Sequence, residues 1–459
     1  MEYKDLTVLD LQELKKRGEL TYVQLMEYYL DRIKKFNDKT NSIAELNDRA
    51  LKEAQKKDES YHSEVSPLYG IPVLVKDNIN TLGMKTTAGA VVLKDFYSND
   101  DAFIIKQLKK AGAIIIGKTN LSEFANFISE ESSNGFSALN GQVKNPYGED
   151  LDVCGSSAGT GAAMATSLAP LGIGTETSGS ILCPAMNNSL VGLKPSVGYV
   201  SREGIIPISP TQDVPGPMTR TVIDAAVLFN GMIGLDKQDQ TTIFERPIDL
   251  DKVKESIFGM RLGYVKAQLF KSASDEEIKL IEEQLNVLRS LGAQIVEFEH
   301  QNKCQNATFD VLYHEFPKAL NEYFESEKNA PVKTLKEVIE FNNVDPDNRI
   351  PYGQQTFEKS IEVSTTKSYQ EAVESDKKFV EDYVNQIKEM ELDALIYIGL
   401  YDTWLPAKGG LPSVIVPAGY IGKRPFGITF SGLKYSEERL LQIAYNFEKV
   451  TQHRVNPQL

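Results

Sequence analysis

Apolar side chains recur at a spacing near 3.6 through the first sixty residues, the period of an amphipathic helix. The positions that carry this period are Leu11, Leu14, Leu25, Tyr29 and Ile33. Thr7 and Thr21 each precede an acidic or amide residue three positions later, as in a capping box at the start of a helix. The pattern predicts two successive helices within residues 7–57.

From residue 69 onward, short apolar runs alternate with amphipathic stretches. Residues 71–75 and 113–116 have the length and apolar content of buried strands, and residues 102–111 between them have a helical pattern. Asn120 is predicted to cap a further helix. Such alternation of strand and helix is typical of a sheet covered on both faces.

The second half of the chain changes in composition between residues 251 and 392, where Lys and Glu are frequent. Its predicted helices span 276–291 and 357–390, with a strand at 294–298. Apolar strands return at 394–398, 413–416 and 426–430, and Ser436 is predicted to cap the last helix. We expect the late strands to complete the early sheet, with the helices of 251–392 covering it.

The predicted fold class is therefore α/β, a single large domain with a central mixed β-sheet covered by helices on both faces. Within this domain of residues 1–459 we expect four parts. They are the N-terminal helices (1–60), a catalytic core (69–235), a variable helical region (251–392) and a C-terminal return to the core (394–459).

Charge and composition exclude several classes of protein. The net charge is −14 over 459 residues, without a dense Lys/Arg stripe, which argues against a nucleic-acid partner. No apolar run approaches the roughly 18 residues that a membrane span needs. Residues 1–5 lack the basic start and apolar block of a secretory signal, so we expect a cytoplasmic protein that contacts no membrane.

The three cysteines, Cys154, Cys183 and Cys304, form no Cys-x-x-Cys pair and are too few for a disulfide framework. We expect them to be small buried hydrophobic residues with free thiols, which suits a reducing compartment.

Residues 154–195 contain two clusters of hydroxyl residues in glycine-rich sequence, one around Ser156 and one around Ser180, separated by one helix length. Glycine costs backbone entropy and serine is seldom a core residue. Such sequence is typical of a site in which backbone N–H groups approach a ligand closely. The two clusters therefore indicate a binding or catalytic site.

A serine nucleophile needs a base, which is most often a histidine. The four histidines, at positions 62, 300, 314 and 453, lie outside glycine-rich or turn-like segments, which is more typical of surface or structural histidines. Lys76 ends a predicted buried strand, where desolvation lowers the pKa of a lysine. Lys76 is therefore a candidate base; the alternative is an ordinary surface ion pair between Lys76 and Asp77.

Residues 155–159 also match Gly-x-Ser-x-Gly, the nucleophile elbow of α/β-hydrolases, which would make Ser157 the nucleophile with a histidine such as His314 or His453. The elbow needs a buried strand directly before it, and residues 148–154 are polar. It also leaves the cluster at Ser180 unexplained, so we place this esterase hypothesis second.

Taken together, these motifs resemble the amidase signature family. The matching segments are residues 70–77, 117–125, 144–146, 154–159, 174–180, 191–195, 216–218 and 417–419. The resemblance runs from the first helices to Arg454 and thins between about 250 and 390.

The resemblance implies a Ser-Ser-Lys triad. Lys76 matches the base, Ser156 the bridging serine, which the family associates with a cis peptide bond, and Ser180 the nucleophile that forms an acyl-enzyme. The backbone N–H groups of residues 177–180, which are Thr177, Ser178, Gly179 and Ser180, would form the oxyanion hole. No metal or organic cofactor is implied.

Departures from the common family pattern bear on the substrate. Cys154 and Ala158 replace two glycines, and Leu182 replaces the arginine that usually pairs with the acid at Glu176. With residues 205–209 and 212–213, these variants resemble the peptide-amidase-like branch, which cleaves C-terminal amides of peptides. The alternative is the glutamine amidotransferase A subunit that serves aminoacyl-tRNA amidation. The expected partner is a small-molecule or peptide amide substrate, and the sequence leaves a homodimer open.

Overall fold

A mixed sheet of eleven strands carries the candidate site, and helices flank the sheet. The computed structural model describes residues 2–243, 245–264, 273–297, 309–366, 368–401 and 403–459. The strands are β1 (Ile43–Leu46), β2 (Pro72–Lys76), β3 (Ile114–Thr119), β4 (Phe136–Ser137), β5 (Gly141–Gln142), β6 (Leu171–Glu176), β7 (Val191–Lys194), β8 (Val214–Thr219), β9 (Arg261–Tyr264), β10 (Gln294–Glu297), β11 (Ala394–Ile398), β12 (Ser413–Ile421) and β13 (Arg424–Ser431).

Sixteen α-helices lie in the described part of the chain. They are α1 (Val8–Lys16), α2 (Tyr22–Thr40), α3 (Ala50–Glu59), α4 (Phe103–Lys110), α5 (Ala158–Ala165), α6 (Leu182–Asn187), α7 (Val222–Asn230), α8 (Leu250–Val253), α9 (Asp275–Ser290), α10 (Asp310–Ser326), α11 (Leu335–Asn343), α12 (Pro346–Arg349), α13 (Gln355–Thr366), α14 (Tyr369–Glu389), α15 (Trp404–Lys408) and α16 (Glu437–Thr451). Both capping boxes predicted at Thr7 and Thr21 are present.

The sheet has the strand order β1-β3-β2-β6-β8-β7-β12-β13-β11-β9-β10, and β4 pairs with β5 in a separate hairpin. The early and late strands thus form one sheet, which confirms the predicted α/β class. β2 runs parallel to both β3 and β6. Because the carboxyl ends of parallel neighbours lie at the same sheet edge, Lys76 at the end of β2 and Glu176 at the end of β6 lie on one side of the molecule.

Residues 251–392 do more than cover the sheet, in contrast to the prediction. They supply two strands at its edge, β9 and β10, of which only the second was predicted. Their helices α10, α11 and α13 form a second apolar cluster with residues of the segment 69–235. Phe316 on α10 packs against Phe127, and Phe357 on α13 packs against Phe124. This cluster places α10 beside the loop that follows β3.

Two predicted elements are wrong in detail. The side chain of Asn120 caps no helix; its Oδ1 accepts hydrogen bonds from the N–H of Leu121 and the hydroxyl of Ser137, and a short 3₁₀ segment, Glu123–Asn126, follows instead. The predicted helix at 357–390 is two helices, because Ser368 begins a new one by accepting the N–H of Glu371. Ser436 precedes α16 as predicted, but its side chain makes no capping hydrogen bond.

Candidate active site

Lys76 and Ser156 meet inside the protein, and both are fully buried. Lys76 Nζ lies 2.7 Å from Ser156 Oγ, 2.9 Å from Thr175 Oγ1 and 3.2 Å from the carbonyl oxygen of Thr175. Thr175 belongs to β6, the strand next to the one that Lys76 ends. The adjacent strands therefore hold the amine between a serine hydroxyl and two further oxygens. Sequence reasoning did not single out Thr175, although it lies in the second hydroxyl cluster.

Asp77 does not pair with Lys76, so the alternative of a surface ion pair is wrong. The Asp77 carboxylate lies 3.3 Å from Lys118 Nζ and also accepts a hydrogen bond from the hydroxyl of Thr87. All three residues are buried. Lys118 on β3 thus neutralises Asp77, and Lys76 has no ion-pair partner among the described residues.

The pKa of Lys76 is lowered to about 7, mainly because burial disfavours the charged ammonium. The negative charges of Glu176 and Asp213 act in the opposite direction and raise it. A lysine whose pKa lies near 7 is substantially neutral at physiological pH and can accept a proton.

A cis peptide bond joins Gly155 to Ser156, as the family resemblance implied. The carbonyl oxygen of Ser156 accepts the N–H of Ser122 at 3.0 Å, which ties the loop to the segment after β3. A Cβ at position 155 would lie 2.3 Å from Ser122 Oγ and would displace that hydroxyl from the N–H of Gly135, which it accepts at 2.8 Å.

The hydroxyl of Ser157 is used in hydrogen bonds to the backbone. Its fully buried hydroxyl donates to the carbonyl of Thr175 at 3.1 Å and accepts the N–H of Thr175 at 3.2 Å. His453 Nε2 lies 2.9 Å from Gln284 Oε1, and the His314 ring packs near Tyr369. Neither histidine contacts Ser157, so the described residues do not form the elbow arrangement. His62 is exposed, and His300 lies outside the described residues.

Ser180 lies in the turn that follows β6, directly before α6, and is partly exposed. Its carbonyl oxygen accepts the N–H of Ser157 at 3.2 Å, so the two hydroxyl clusters are in direct contact. Its hydroxyl has no hydrogen-bond partner within the described part of the chain. Ser180 Oγ is therefore not hydrogen-bonded to Ser156 Oγ in this structure, although the backbones of the two clusters are in contact.

Glu176 organises this turn through its carboxylate. Oε1 accepts the N–H of Gly179 at 2.7 Å, and Oε2 accepts those of Ile181 and Leu182 at 2.6 and 2.9 Å. The buried carboxylate thus binds three backbone N–H groups. Backbone N–H groups thus take the place of the arginine that usually pairs with this acid and that is Leu182 in this chain.

The predicted oxyanion donors differ in their environment. The N–H of Gly179 is already bound to Glu176 and is therefore not free to bind an oxyanion. The N–H groups of Ser178 and Ser180 have no acceptor among the described residues. Thr177 is held by its hydroxyl, which donates to Asp213 Oδ1 at 2.5 Å. Burial raises the pKa of Asp213 to about 6, and the hydrogen bond from Thr177 partly offsets this.

Cys154 and Cys183 form a disulfide, which corrects the prediction that both are free thiols. Their Cα atoms are 5.7 Å apart because the contact between the two hydroxyl clusters brings both cysteines together. The bond joins the loop of Ser156 to the helix that follows Ser180. Cys304 lies outside the described residues.

A cavity of about 520 Å³ opens beside the turn. Its wall includes residues 175–177 of β6 and the turn, Asn78 two residues after the end of β2, residues 204–208 and Tyr323 of α10. The variable helical region (251–392) therefore contributes to the cavity wall, because the second apolar cluster holds α10 next to the loops of the segment 69–235. Sequence reasoning did not identify Asn78, although it follows the Lys76-Asp77 motif directly.

Over the described ranges, no cluster of His, Cys, Asp or Glu side chains has the arrangement of a metal site. No α-helix among the same residues combines the length and apolar content needed to cross a membrane.

A family model named Amidase matches residues 24–397. The chain belongs to the amidase family. It is therefore an amide hydrolase by family, with the mixed sheet and flanking helices of that fold. A probable amidase from Arabidopsis thaliana is 35% identical over 99% of this chain and 91% of its own length. The glutamyl-tRNA(Gln) amidotransferase A subunit from Thermoanaerobacter pseudethanolicus is 30% identical, covering 100% of this chain and 99% of its own.

Solved structures agree with the peptide-amidase-like branch of the family. The native peptide amidase from Stenotrophomonas maltophilia superposes on this amidase with a TM-score of 0.93 at 35% identity, covering 99% of each chain. An amidase family protein from Bacillus anthracis gives a TM-score of 0.94 at 39% identity, covering 99% of this chain and 92% of its own.

Proposed function

We propose that this amidase hydrolyses carboxamides through a Ser-Ser-Lys triad and an acyl-enzyme on Ser180, with C-terminal peptide amides as the substrate class. One observation carries the proposal: Lys76 Nζ lies 2.7 Å from Ser156 Oγ without a carboxylate partner among the described residues. A buried amine in such a setting can act as a base. Lysine in place of histidine is a known variant of the serine triad.

The contacts of Lys76 suit a neutral amine. A neutral amine has two N–H groups and one lone pair. The carbonyl and hydroxyl oxygens of Thr175, at 3.2 and 2.9 Å, can accept the two N–H groups. The lone pair then accepts the proton of Ser156, 2.7 Å away.

In the proposed reaction, Ser156 passes its proton to Lys76 and takes the proton of Ser180. Ser180 Oγ forms a bond to the amide carbon, and the carbonyl oxygen becomes an oxyanion that the N–H groups of Thr177, Ser178 and Ser180 bind. The C–N bond then breaks, and the nitrogen leaves with the proton that Ser156 returns. Water, activated by the same relay, releases the acid from Ser180. The proposal involves no metal and no organic cofactor.

The substrate class rests on similarity. The peptide amidase from Stenotrophomonas maltophilia is 35% identical with a TM-score of 0.93. The glutamyl-tRNA(Gln) amidotransferase A subunit from Thermotoga maritima is 24% identical with a TM-score of 0.77, which supports the shared fold alone. The net charge of −14 also favours a peptide or small amide over tRNA, and we propose an enzyme that needs neither nucleic acid nor membrane. The expectation of a cytoplasmic location rested in part on free thiols, and the disulfide between Cys154 and Cys183 removes that support.

The glutamine amidotransferase function is the second candidate, because glutamyl-tRNA(Gln) amidotransferase A subunits matched over nearly their full length reach 33% identity. Ammonia release should be measured from peptide amides, aliphatic amides and glutamine with the purified chain. We expect activity on peptide amides by the chain alone and its loss in Ser180→Ala with unchanged folding. Activity on glutamine that appears only with partner chains would favour the amidotransferase. Undiminished hydrolysis by Ser180→Ala would reject the triad.

A further inference from the structure

Asn78 has a buried oxygen without a hydrogen-bond partner. The residue is 2% exposed and lines the cavity beside the turn of Ser180. Its Nδ2 donates to Thr175 Oγ1 at 3.0 Å, whereas its Oδ1 has no donor among the described residues. Leaving a buried acceptor unpaired costs about 1–3 kcal/mol, so the position of this oxygen calls for a donor from outside the chain.

The surrounding contacts fix this oxygen in place. The backbone carbonyl of Asn78 accepts the N–H of Ile206 at 2.9 Å, and Ile206 belongs to the cavity wall. With the side-chain nitrogen bound to Thr175, both ends of the residue are held. Oδ1 is therefore a preorganised acceptor, which can receive a hydrogen bond from a ligand N–H without a change in the Asn78 rotamer.

The position of Asn78 relative to Lys76 indicates which N–H of a ligand would donate to Oδ1. Thr175 Oγ1 accepts hydrogen bonds from both Asn78 Nδ2, at 3.0 Å, and Lys76 Nζ, at 2.9 Å. One hydroxyl thus separates Asn78 from the amine that, through Ser156, returns a proton to the leaving nitrogen. Asn188 also has an unpaired buried Oδ1, but it does not line this cavity.

We propose that Asn78 Oδ1 accepts an N–H of the scissile carboxamide and thereby selects amides over esters. This inference rests on the proposed function. The hydrogen bond holds the nitrogen so that its developing lone pair points to Ser156. When the C–N bond breaks, its electron pair stays on nitrogen, and the proton of Ser156 moves to that nitrogen while protonated Lys76 replaces it. An ester oxygen carries no hydrogen and gains nothing from this acceptor.

The test compares a primary peptide amide with the methyl ester of the same acyl group. In Asn78→Ala we expect kcat/KM for the amide to fall about 10- to 100-fold, the range of one hydrogen bond to a buried group, and that for the ester to fall less than about threefold. Asn78→Ser, which removes less volume, should give the same pattern. Asn446→Ala removes the same side chain on α16, away from the cavity, and should change neither rate.

Equal losses on amide and ester would overturn the inference, because they would mean that Asn78 acts only by positioning Thr175 and Lys76. An unchanged amide rate would overturn it as well. If the wild-type chain hydrolyses neither substrate, the proposed function itself fails, and this inference fails with it. Thermal unfolding of both Asn78 variants separates these outcomes from a loss of folding.

Discussion

Asp77 is the sequence neighbour of Lys76, yet its carboxylate lies 3.3 Å from the amine of Lys118 on the next strand. Successive residues at the end of a strand point to opposite faces of the sheet. Asp77 is therefore paired on one face while Lys76 contacts only neutral oxygens on the other. This division pairs the carboxylate that is nearest in sequence with a different lysine, and burial can then lower the pKa of Lys76.

The first prediction concerns pH. Burial lowers the pKa of Lys76 to about 7, and only the neutral amine can accept the proton of Ser156. We therefore expect kcat/KM to rise with pH through a transition near 7 and to reach a plateau above it. The measurement is a pH profile of kcat/KM on a peptide amide. A rate that falls between pH 6 and 8 would contradict the role of Lys76.

A substitution at Asp213 should shift this pH profile in a known direction. Its negative charge raises the pKa of Lys76, so Asp213→Asn should move the transition to lower pH. The amide oxygen can still accept the Thr177 hydroxyl, but the NH₂ group cannot accept the N–H groups of Ile208 and Ser209 that Oδ2 now binds, so thermal unfolding of the variant is measured alongside. A transition displaced to higher pH would show that a different group titrates.

The lowered pKa also affects stability, with a defined sign. The unfolded chain binds the proton of Lys76 below about 10.5, and the folded chain binds it only below about 7. Between these values the unfolded state holds more protons, so this residue makes the free energy of unfolding increase with pH. Lys76→Met should flatten that increase in denaturant titrations at pH 7 and pH 9. If the free energy of unfolding changes with pH equally in the variant and the wild type, Lys76 is protonated in the folded protein across this pH range.

The next prediction concerns Glu176. In Glu176→Gln the amide oxygen can still accept hydrogen bonds, but the NH₂ group cannot accept those that Oε1 or Oε2 now receives from Gly179, Ile181 and Leu182. We expect a loss of about 1–3 kcal/mol in the free energy of unfolding and a kcat at least about tenfold lower. Urea titration and steady-state kinetics measure the two effects. Normal values of both would show that the turn does not depend on this carboxylate.

The disulfide should stabilise the loop of Ser156 and the helix after Ser180 together. Cys154 and Cys183 are 29 positions apart, and closing a loop of this size contributes about 3–4 kcal/mol in the chain-entropy model. Reductant should therefore lower the melting temperature of the wild-type protein. Cys183→Ser, which has no bond to reduce, should melt at one temperature with or without reductant. A wild-type melting temperature unaffected by full reduction would contradict this account.

Local sequence patterns predicted the parts of the site that depend on one element at a time. A continuous apolar run followed by Lys76 predicted a buried strand with a lysine at its end, and β2 begins and ends within one residue of the expected bounds. The helix starts at Thr7 and Thr21 were predictable because a capping box is a contact over three residues.

The features that were missed depend on contacts between distant segments. The disulfide required the two serine clusters to be placed in space, and the partner of Asp77 is on another strand. Likewise, Asn120 satisfies the usual preference for a helix cap, but its side chain is used by Ser137 in the tertiary structure. The split at Ser368 was missed because the segments on both sides are helical, and only the cap at Ser368 separates them.

The central claim is that Ser180 carries the acyl group. Mass spectrometry of protein quenched during turnover of a peptide amide, followed by proteolytic digestion, tests it most directly. The account predicts that the mass of the acyl group is found on the peptide that contains Ser180, and that it is lost in Ser180→Ala. An acyl group on Ser157, or turnover by Ser180→Ala at the wild-type rate, would contradict it.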